Sequence, residues 1–277
     1  MRLANMDQQP NPPVPLKVDS LSRSFGGVSA VSQVSFTLCA GERLAILGPN
    51  GAGKSTLFNL ICGDLVADSG QVYLRGQDVT ALALHHRVRR GLARTYQTSS
   101  VFADLTVQEH LYLARRGPVP GRLSLWPNSR GRTQIAQATL GIAAQVGLQN
   151  QMHTKSNQLS HGELRQLEVA MALATNPHII LLDEPAAGLS PSEREHLTGL
   201  LVGLDSSVAL VLVEHDMNVA LTVADRVLVL ESGRLIAAGK PAEIEANPVV
   251  RAVYLGEQHG QQQLQQTTSK AMNGTNR

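Results

Sequence analysis

The stretch GPNGAGKST spans residues 48–56 and contains three glycines. It matches the pattern GxxxxGK[ST], in which glycines let backbone N–H groups converge on phosphate oxygens at the N-terminus of a helix. The segment RLAILG before it has the composition of a buried strand, and KSTLFNLICG after it has a helical pattern. An ordinary glycine-rich turn is the alternative, which this strand–loop–helix context disfavours. The stretch therefore predicts a phosphate site.

Within this site, two side chains have predicted tasks of their own. We expect Lys54 to reach the β- and γ-phosphates of a nucleotide, and the hydroxyl of Ser55 to ligate Mg²⁺. The nucleotide-binding residues predicted for the loop and the start of its helix are Gly48, Pro49, Asn50, Gly51, Ala52, Gly53, Lys54, Ser55 and Thr56.

A nucleotide site also needs a carboxylate for the metal, and IILLDEP, residues 179–185, supplies two acids after an apolar run. We expect Asp183 to hold Mg²⁺, directly or through water, and Glu184 to act as the general base on the attacking water. The alternative, that both acids only end a buried strand, is weak because they follow four apolar residues. His215 follows another apolar run, and we interpret it as a sensor of the γ-phosphate, although a lone histidine is more often structural.

The apolar segments predict the fold class. They lie at 34–38, 43–48, 179–183, 208–214 and 226–230, separated by segments of helical length, which is typical of an α/β fold with a parallel sheet. The predicted domain spans residues 16–256. A polar, proline-rich leader (1–15) and a glutamine-rich tail (257–277) are predicted to be disordered.

Composition excludes several classes of protein. The two cysteines, Cys39 and Cys62, lack CxxC spacing, so we expect neither a disulfide framework nor a zinc site, and a reducing compartment fits. The longest apolar runs have six residues, whereas a membrane span needs about 20. No signal peptide is evident at the start of the sequence. We therefore expect a soluble protein that can dock on a membrane protein.

The middle of the chain is basic. Residues 110–162 contain no acidic residue but five arginines and one lysine. We favour a helical subdomain with an exposed basic face. The alternative is a surface held against an anionic partner or the inner leaflet, where each basic residue contributes about 1 kcal/mol. A nucleic-acid site is disfavoured because aromatic residues for base stacking are scarce here.

LSHGE, residues 159–163, places a serine, a histidine and a glutamate together and so suggests a hydrolytic triad. Neighbouring residues point away from one another, which makes a shared hydrogen bond difficult. The order of the motifs GPNGAGKST, TYQ, LSHGE, IILLDEP and VEHD instead resembles the ATP-binding subunits of ABC transporters over about residues 16–256. The resemblance implies a P-loop NTPase with a mostly parallel core sheet, an N-terminal antiparallel β subdomain and a helical signature subdomain at about 98–170, with ATP and Mg²⁺ as cofactors.

The same resemblance gives LSHGE another role and replaces the triad. In the family, two subunits pair head to tail, and each signature closes over the nucleotide on the partner's P-loop. Ser160 and the Gly162 amide would then contact the partner's γ-phosphate. The chain departs from the family's LSGGQ at His161 and Glu163, and at Ser190, where aspartate is common.

Other roles implied by the resemblance fall on single residues. Gln97 would contact the metal and link the site to the helical subdomain, and His215 would be the switch histidine. Phe25 stands where an aromatic ring stacks on adenine, although it could instead belong to the core.

Longer stretches such as SFGGVSAVSQVSF and VEHDMNVAL resemble the importer ATPases for branched-chain amino acids. The ATPases of urea importers and lipopolysaccharide exporters share parts of this pattern. The resemblance implies that the chain assembles with integral-membrane permease subunits and with a second ABC ATPase, which is identical or a sister chain. A solute-binding protein would be an indirect partner, and no nucleic acid is expected. The chain would lie peripherally on the cytoplasmic face of the inner membrane. A soluble ABC ATPase acting on ribosomes or DNA is disfavoured by the single P-loop and the lack of heptads. A structural partner that binds nucleotide without hydrolysing it is disfavoured, because such a protein would be expected to lack the base that Glu184 supplies.

Overall fold

The computed structural model describes residues 14–95, 101–117 and 129–254, without the side chains of 129–132. The predicted tail and all but two residues of the predicted leader lie outside these ranges, as does Gln97. Within the described ranges, no helix has the length and apolar character needed to cross a lipid bilayer.

The described chain alternates between strands and helices. The strands are β1 (Leu16–Phe25), β2 (Val28–Leu38), β3 (Arg43–Leu47), β4 (Ser69–Leu74), β5 (Gln77–Asp78), β6 (Leu92–Arg94), β7 (Ile179–Asp183), β8 (Ala209–Val213), β9 (Arg226–Glu231) and β10 (Arg234–Gly239). The α-helices are α1 (Lys54–Cys62), α2 (Leu84–Val88), α3 (Val107–Arg116), α4 (Ser129–Gln145), α5 (His161–Ala174), α6 (Pro191–Val202), α7 (Met217–Val223) and α8 (Pro241–Ala246).

A six-stranded sheet forms the centre, in the order β10-β9-β3-β8-β7-β6. All neighbouring pairs are parallel except β9 and β10. Every residue of β7 and β8 is buried, because both faces of these strands are covered, and this explains their continuous apolar sequences. The predicted mostly parallel sheet is confirmed, with an additional antiparallel strand at its β10 edge.

A second, antiparallel sheet has the order β2-β1-β4-β5 and confirms the predicted N-terminal β subdomain. Its apolar side chains share one core with α1 and with one face of the central sheet. The carbonyl of Ala30 on β2 lies directly beside the backbone of Gly53. The antiparallel sheet therefore helps to shape the phosphate loop.

The C-terminal end of α1 is fixed by a buried cation. Arg87 is 1% exposed, and its guanidinium donates to the carbonyls of Leu60 and Ile61 at 2.8 and 2.6 Å. It also donates to the carbonyl of Leu82 at 2.8 Å. A cation at this position satisfies carbonyls that have no partner within the helix and complements the helix dipole.

Helices α3, α4 and α5 pack together, and their apolar faces share a core with the other face of the central sheet. They lie largely within the predicted helical subdomain, and α5 continues to Ala174. Both α3 and α5 begin with a capping box, formed by Thr106 with Glu109 and by Ser160 with Glu163. In each box the side chains satisfy amides that the helix itself leaves unpaired.

Candidate functional site

The loop between β3 and α1 has a backbone that only glycine permits at its last position. Gly53 has φ of 99°, and a Cβ added there would lie 2.1 Å from the carbonyl oxygen of Ala30. Gly53 is also the N-cap of α1, which has no side-chain cap and no acidic residue in its first turn. The first amides of α1 therefore meet no competing side chain and can bind an anion.

One cavity brings the loop together with the predicted base. It is lined by Ala30, Glu184 and residues 50–56. Lys54 is 6% exposed, and its Nζ donates to the carbonyls of Gly48 and Pro49 at 2.5 and 3.0 Å. These bonds hold the ammonium group over the phosphate loop.

The two acids at the end of β7 have different environments. Asp183 is buried, and loss of hydration raises the pKa of its carboxyl, as does the neighbouring charge of Glu184. Glu184 has φ of 46°, a left-handed conformation that is costly for a non-glycine residue, and its N–H donates to the carbonyl of Val213 at 2.8 Å. Strain of this kind is concentrated at functional sites, where the surrounding structure enforces it.

The donors near the cavity fit a magnesium ion. A buried carboxylate with a raised pKa gains from a neighbouring cation, and oxygen donors such as Asp183 and the Ser55 hydroxyl are those that Mg²⁺ prefers. Gln97, the third predicted ligand, lies outside the described residues. The assignment of the metal ligands therefore stays a prediction.

His215 lies beside the predicted base. Its Nδ1 is 3.7 Å from Oε2 of Glu184 and 3.9 Å from Oε2 of Glu214, and its side chain is 55% exposed. The imidazole is therefore both near Glu184 and accessible to a ligand.

Glu214 is a residue that the sequence interpretation missed. Its side chain is fully buried; Oε1 accepts from the N–H of Ala186 at 3.1 Å and Oε2 from the N–H of His215 at 3.2 Å. Burial raises the pKa of this carboxyl. Glu214 thus joins the loop after Glu184 to the segment carrying His215. An acid directly after a run of apolar residues was the available signal, as it was for Asp183.

The signature residues lie apart from this cavity, at the start of α5. The hydroxyl of Ser160 accepts from the N–H of Glu163 at 3.2 Å, and the carboxylate of Glu163 accepts from the N–H of Ser160 at 2.8 Å. The ring of His161 packs against Gly188, where an added Cβ would lie 3.3 Å from Cε1. Ser160 and Glu163 therefore serve as a helix cap, and none of the four predicted signature residues lines the cavity at the P-loop.

The amide of Gly162 already has an acceptor, which was not predicted. It donates to Oε1 of Glu193 at 3.0 Å. Glu193 belongs to α6, whose N-cap is Ser190. Serine is as good an N-cap as aspartate, so the departure from the family pattern at this position preserves the cap.

Phe25 lies at the end of β1, and 44% of it is exposed. The alternative that it belongs to the core is therefore wrong. The guanidinium of Arg23 lies over its ring, 4.9 Å from the centroid. Phe25 does not line the cavity around the P-loop, and its stacking on adenine stays a prediction.

Comparison with known families gives two matches. Residues 31–187 match the family described as "ABC transporter", and residues 234–260 match "Branched-chain amino acid ATP-binding cassette transporter". The chain is 34% identical over 249 residues to the high-affinity branched-chain amino acid transport ATP-binding protein LivG of Escherichia coli (strain K12), covering 87% of this chain and 98% of LivG. It is 35% identical over 244 residues to the lipopolysaccharide export system ATP-binding protein LptB of Acidithiobacillus ferridurans, covering 88% of this chain and 97% of LptB.

Solved structures of ABC transporter subunits also resemble this chain. The ADP conformation of MJ1267, an ATP-binding cassette of an ABC transporter, superposes with a TM-score of 0.77 at 29% identity, covering 88% of this chain and 99% of that one. The protein cbiO1 from Clostridium perfringens, part of the ABC transporter complex cbiONQ, superposes with a TM-score of 0.74 at 26% identity, covering 88% and 95% of the two chains.

Proposed function

The chain belongs to the ATP-binding subunits of ABC transporters, which hydrolyse ATP to drive transport, and we propose that it energises the uptake of branched-chain amino acids through a separate permease. The observation that carries the substrate class is the match of residues 234–260 to the branched-chain amino acid family. This segment lies outside the part of the chain that matches ABC transporters in general.

The proposed chemistry follows from the cavity at the P-loop. The amides at the start of α1 and the ammonium of Lys54 bind and orient the phosphates. Mg²⁺, held by Ser55 and Asp183, would supply positive charge to the phosphate oxygens when bound. Glu184 then removes a proton from the attacking water, and its backbone conformation keeps the carboxylate in the cavity. His215 lies within 3.7 Å of that carboxylate and reports on the γ-phosphate.

We further propose that the signature acts on a partner's nucleotide. The start of α5 lies away from its own P-loop cavity, which supports a composite site completed by a second ABC ATPase subunit, identical or a sister chain. The proposed assembly also contains permease subunits, receives its cargo indirectly from a solute-binding protein, and places this chain peripherally on the cytoplasmic face of the inner membrane.

Lipopolysaccharide export is the second candidate, because LptB is about as similar to this chain as LivG is. The two candidates differ in cargo and in the permease, while the ATPase chemistry of this chain would be the same. The ATPase of a urea importer, with which the sequence shares parts of its pattern, is a third candidate.

The test measures uptake in a strain whose own copy of the gene is deleted. The strain receives wild-type protein, Glu184→Gln, or the matched control Glu195→Gln, which changes an exposed acid on α6. Removing a general base lowers turnover by roughly 10²–10⁴-fold, so we expect Glu184→Gln to reduce uptake of labelled leucine, isoleucine and valine to background while ATP still binds. The control should match wild type.

Unchanged amino-acid uptake combined with a loss of surface lipopolysaccharide or of urea uptake would contradict the proposed cargo and select the corresponding alternative. Wild-type ATP hydrolysis by purified Glu184→Gln transporter would show that Glu184 is not the base. Co-purification with a multi-span membrane protein would identify the permease.

A further inference from the structure

Glu193 forms a bridge between the starts of two helices. Its Oε2 accepts from the N–H and the hydroxyl of Ser190, at 3.0 and 2.7 Å, and so caps its own helix, α6. Its Oε1 accepts from the N–H of Gly162 at 3.0 Å, in the first turn of the signature helix α5. One carboxylate thus satisfies amides of both helices, which are 31 positions apart in sequence at this contact.

A side chain at position 162 would force the carboxylate of Glu193 to move. A Cβ there would lie 2.8 Å from Oε1 and 2.9 Å from Cγ of Glu193, closer than side chains approach. The hydrogen bonds from Ser190 and Gly162 lower the pKa of Glu193, so the carboxylate is ionised at neutral pH. The Gly162 amide is therefore paired with a full negative charge.

The bridge also reaches the loop that carries the predicted base. This loop runs from Glu184 to the N-cap Ser190, and the ring of His161 packs against it at Gly188. Within the loop, the N–H of Ala187 donates to the carbonyl of Glu184 at 3.1 Å. The start of the signature helix and the loop after Glu184 are thus held together at two points, by Glu193 and by His161.

We infer that Glu193 is a positioning residue that holds the Gly162 amide in this chain until the partner's ATP replaces it. The inference rests on the proposed function, in which Gly162 donates to the partner's γ-phosphate. An amide has a single proton, so it cannot serve both acceptors at full strength. A carboxylate beside the incoming phosphate also repels it. Closure of the dimer therefore exchanges one anion for another at Gly162 and frees the carboxylate that had tied α5 to the loop after Glu184.

The exchange predicts how removing the charge of Glu193 changes the dependence of hydrolysis on ATP concentration. Glu193→Gln keeps the size of the side chain and replaces a charge-assisted acceptor by a neutral one. Such a change weakens a hydrogen bond by enough for about a fivefold shift in equilibrium. We expect the ATP concentration for half-maximal hydrolysis by the assembled transporter to fall about fivefold. A residue with only a structural role would lower the thermal stability and leave this concentration unchanged.

The first measurement needs only the isolated chain. The Gly162 amide has no acceptor within α5, so its hydrogen exchange and ¹H–¹⁵N chemical shift report its contact with Glu193. We expect amide exchange at Gly162 to become about fivefold faster in Glu193→Gln and to stay unchanged in Glu195→Gln, the exposed acid two positions further along the same helix. An unchanged Gly162 amide in Glu193→Gln would overturn the inference, whatever the cargo of the transporter.

The second measurement is the ATP dependence of hydrolysis by the assembled transporter with wild-type chain, Glu193→Gln or Glu195→Gln. A lower half-maximal ATP concentration in Glu193→Gln alone supports the exchange. An unchanged or higher value, with a confirmed effect on the Gly162 amide, overturns it. If the wild-type assembly shows no ATP hydrolysis, the proposed function fails and the exchange fails with it, while the amide measurement still shows whether the bridge exists.

Discussion

The N-terminus of α1 and the N-terminus of α5 are both predicted to contact phosphate, but they are built in opposite ways. Helix α1 begins at a glycine, has no side-chain cap and has no acidic residue in its first turn. Helix α5 begins with a complete capping box of Ser160 and Glu163, and its Gly162 amide donates to Glu193. The first end is open to an anion, whereas the second is already occupied by the chain's own carboxylates.

The difference indicates the order in which the two ends act. An uncapped helix end can bind phosphate without a conformational cost, so the P-loop can hold ATP in a single chain. In the composite site proposed above, the signature end would first give up hydrogen bonds to internal carboxylates and exchange them for the partner's phosphate. In this view the P-loop provides affinity, and the signature makes hydrolysis depend on assembly.

The largest effect is expected from a substitution that distorts the uncapped start of α1. Gly53→Ala places a Cβ 2.1 Å from the Ala30 carbonyl at a φ of 99°. The left-handed strain costs about 1–2 kcal/mol, or roughly 5- to 30-fold in an equilibrium, and the clash also displaces the loop whose amides bind phosphate. We expect ATP affinity, measured by titration calorimetry on the isolated chain, to fall by more than about 30-fold. 

Gly51→Ala is the matched control for this substitution. Gly51 also has positive φ, 78°, but a Cβ there meets nothing within 4 Å. Gly51→Ala causes no clash with β2, so the loss expected from the conformational strain is about 5- to 30-fold. Equal losses in the two variants would show that contact with β2 does not shape the loop.

A second test compares the signature cap with an ordinary cap. Ser160→Ala and Thr106→Ala each remove a capping-box hydroxyl, from α5 and α3 respectively, and each should lower the free energy of unfolding by about 1 kcal/mol. Only Ser160→Ala should also impair ATP-driven closure, by roughly 10- to 150-fold, because a hydrogen bond to a charged group contributes about 1.5–3 kcal/mol. Circular dichroism melting and ATP-dependent dimerisation measure the two effects. Equal ATP-dependent dimerisation of the two variants would show that Ser160 acts only as a helix cap.

The smallest expected effect is at His161, whose ring is exposed and packs against Gly188. His161→Gly restores the commoner signature and removes no predicted phosphate donor. We expect the free energy of unfolding to change by no more than about 0.5 kcal/mol and ATP hydrolysis to stay within about twofold of wild type. A tenfold loss of hydrolysis at unchanged stability would show that this packing, together with Glu193, positions the loop after Glu184.

Local sequence was sufficient wherever a feature depends on neighbouring residues. The strand–loop–helix at the P-loop and the strands β3, β7, β8 and β9 follow from continuous apolar runs and turn chemistry. The placement of Glu184 near the P-loop follows as well, because the carboxyl ends of parallel strands lie at one edge of a sheet, here with β8 between β3 and β7. The antiparallel pairing of β10 was missed, since its residues are only partly buried and lack a clear alternating pattern.

Patterns in the sequence thus account for the family, the central sheet and the phosphate loop. Tertiary packing alone set the partners of three charged side chains: the buried Arg87 at the end of α1, the buried Glu214 behind the loop after Glu184, and the partly exposed Glu193 on the Gly162 amide. The residues joined by these bonds are 27, 28 and 31 positions apart. A burial pattern reports which face of an element is covered, but the partner of a charged side chain depends on which two elements meet and at what register, and that is settled only when the cores pack.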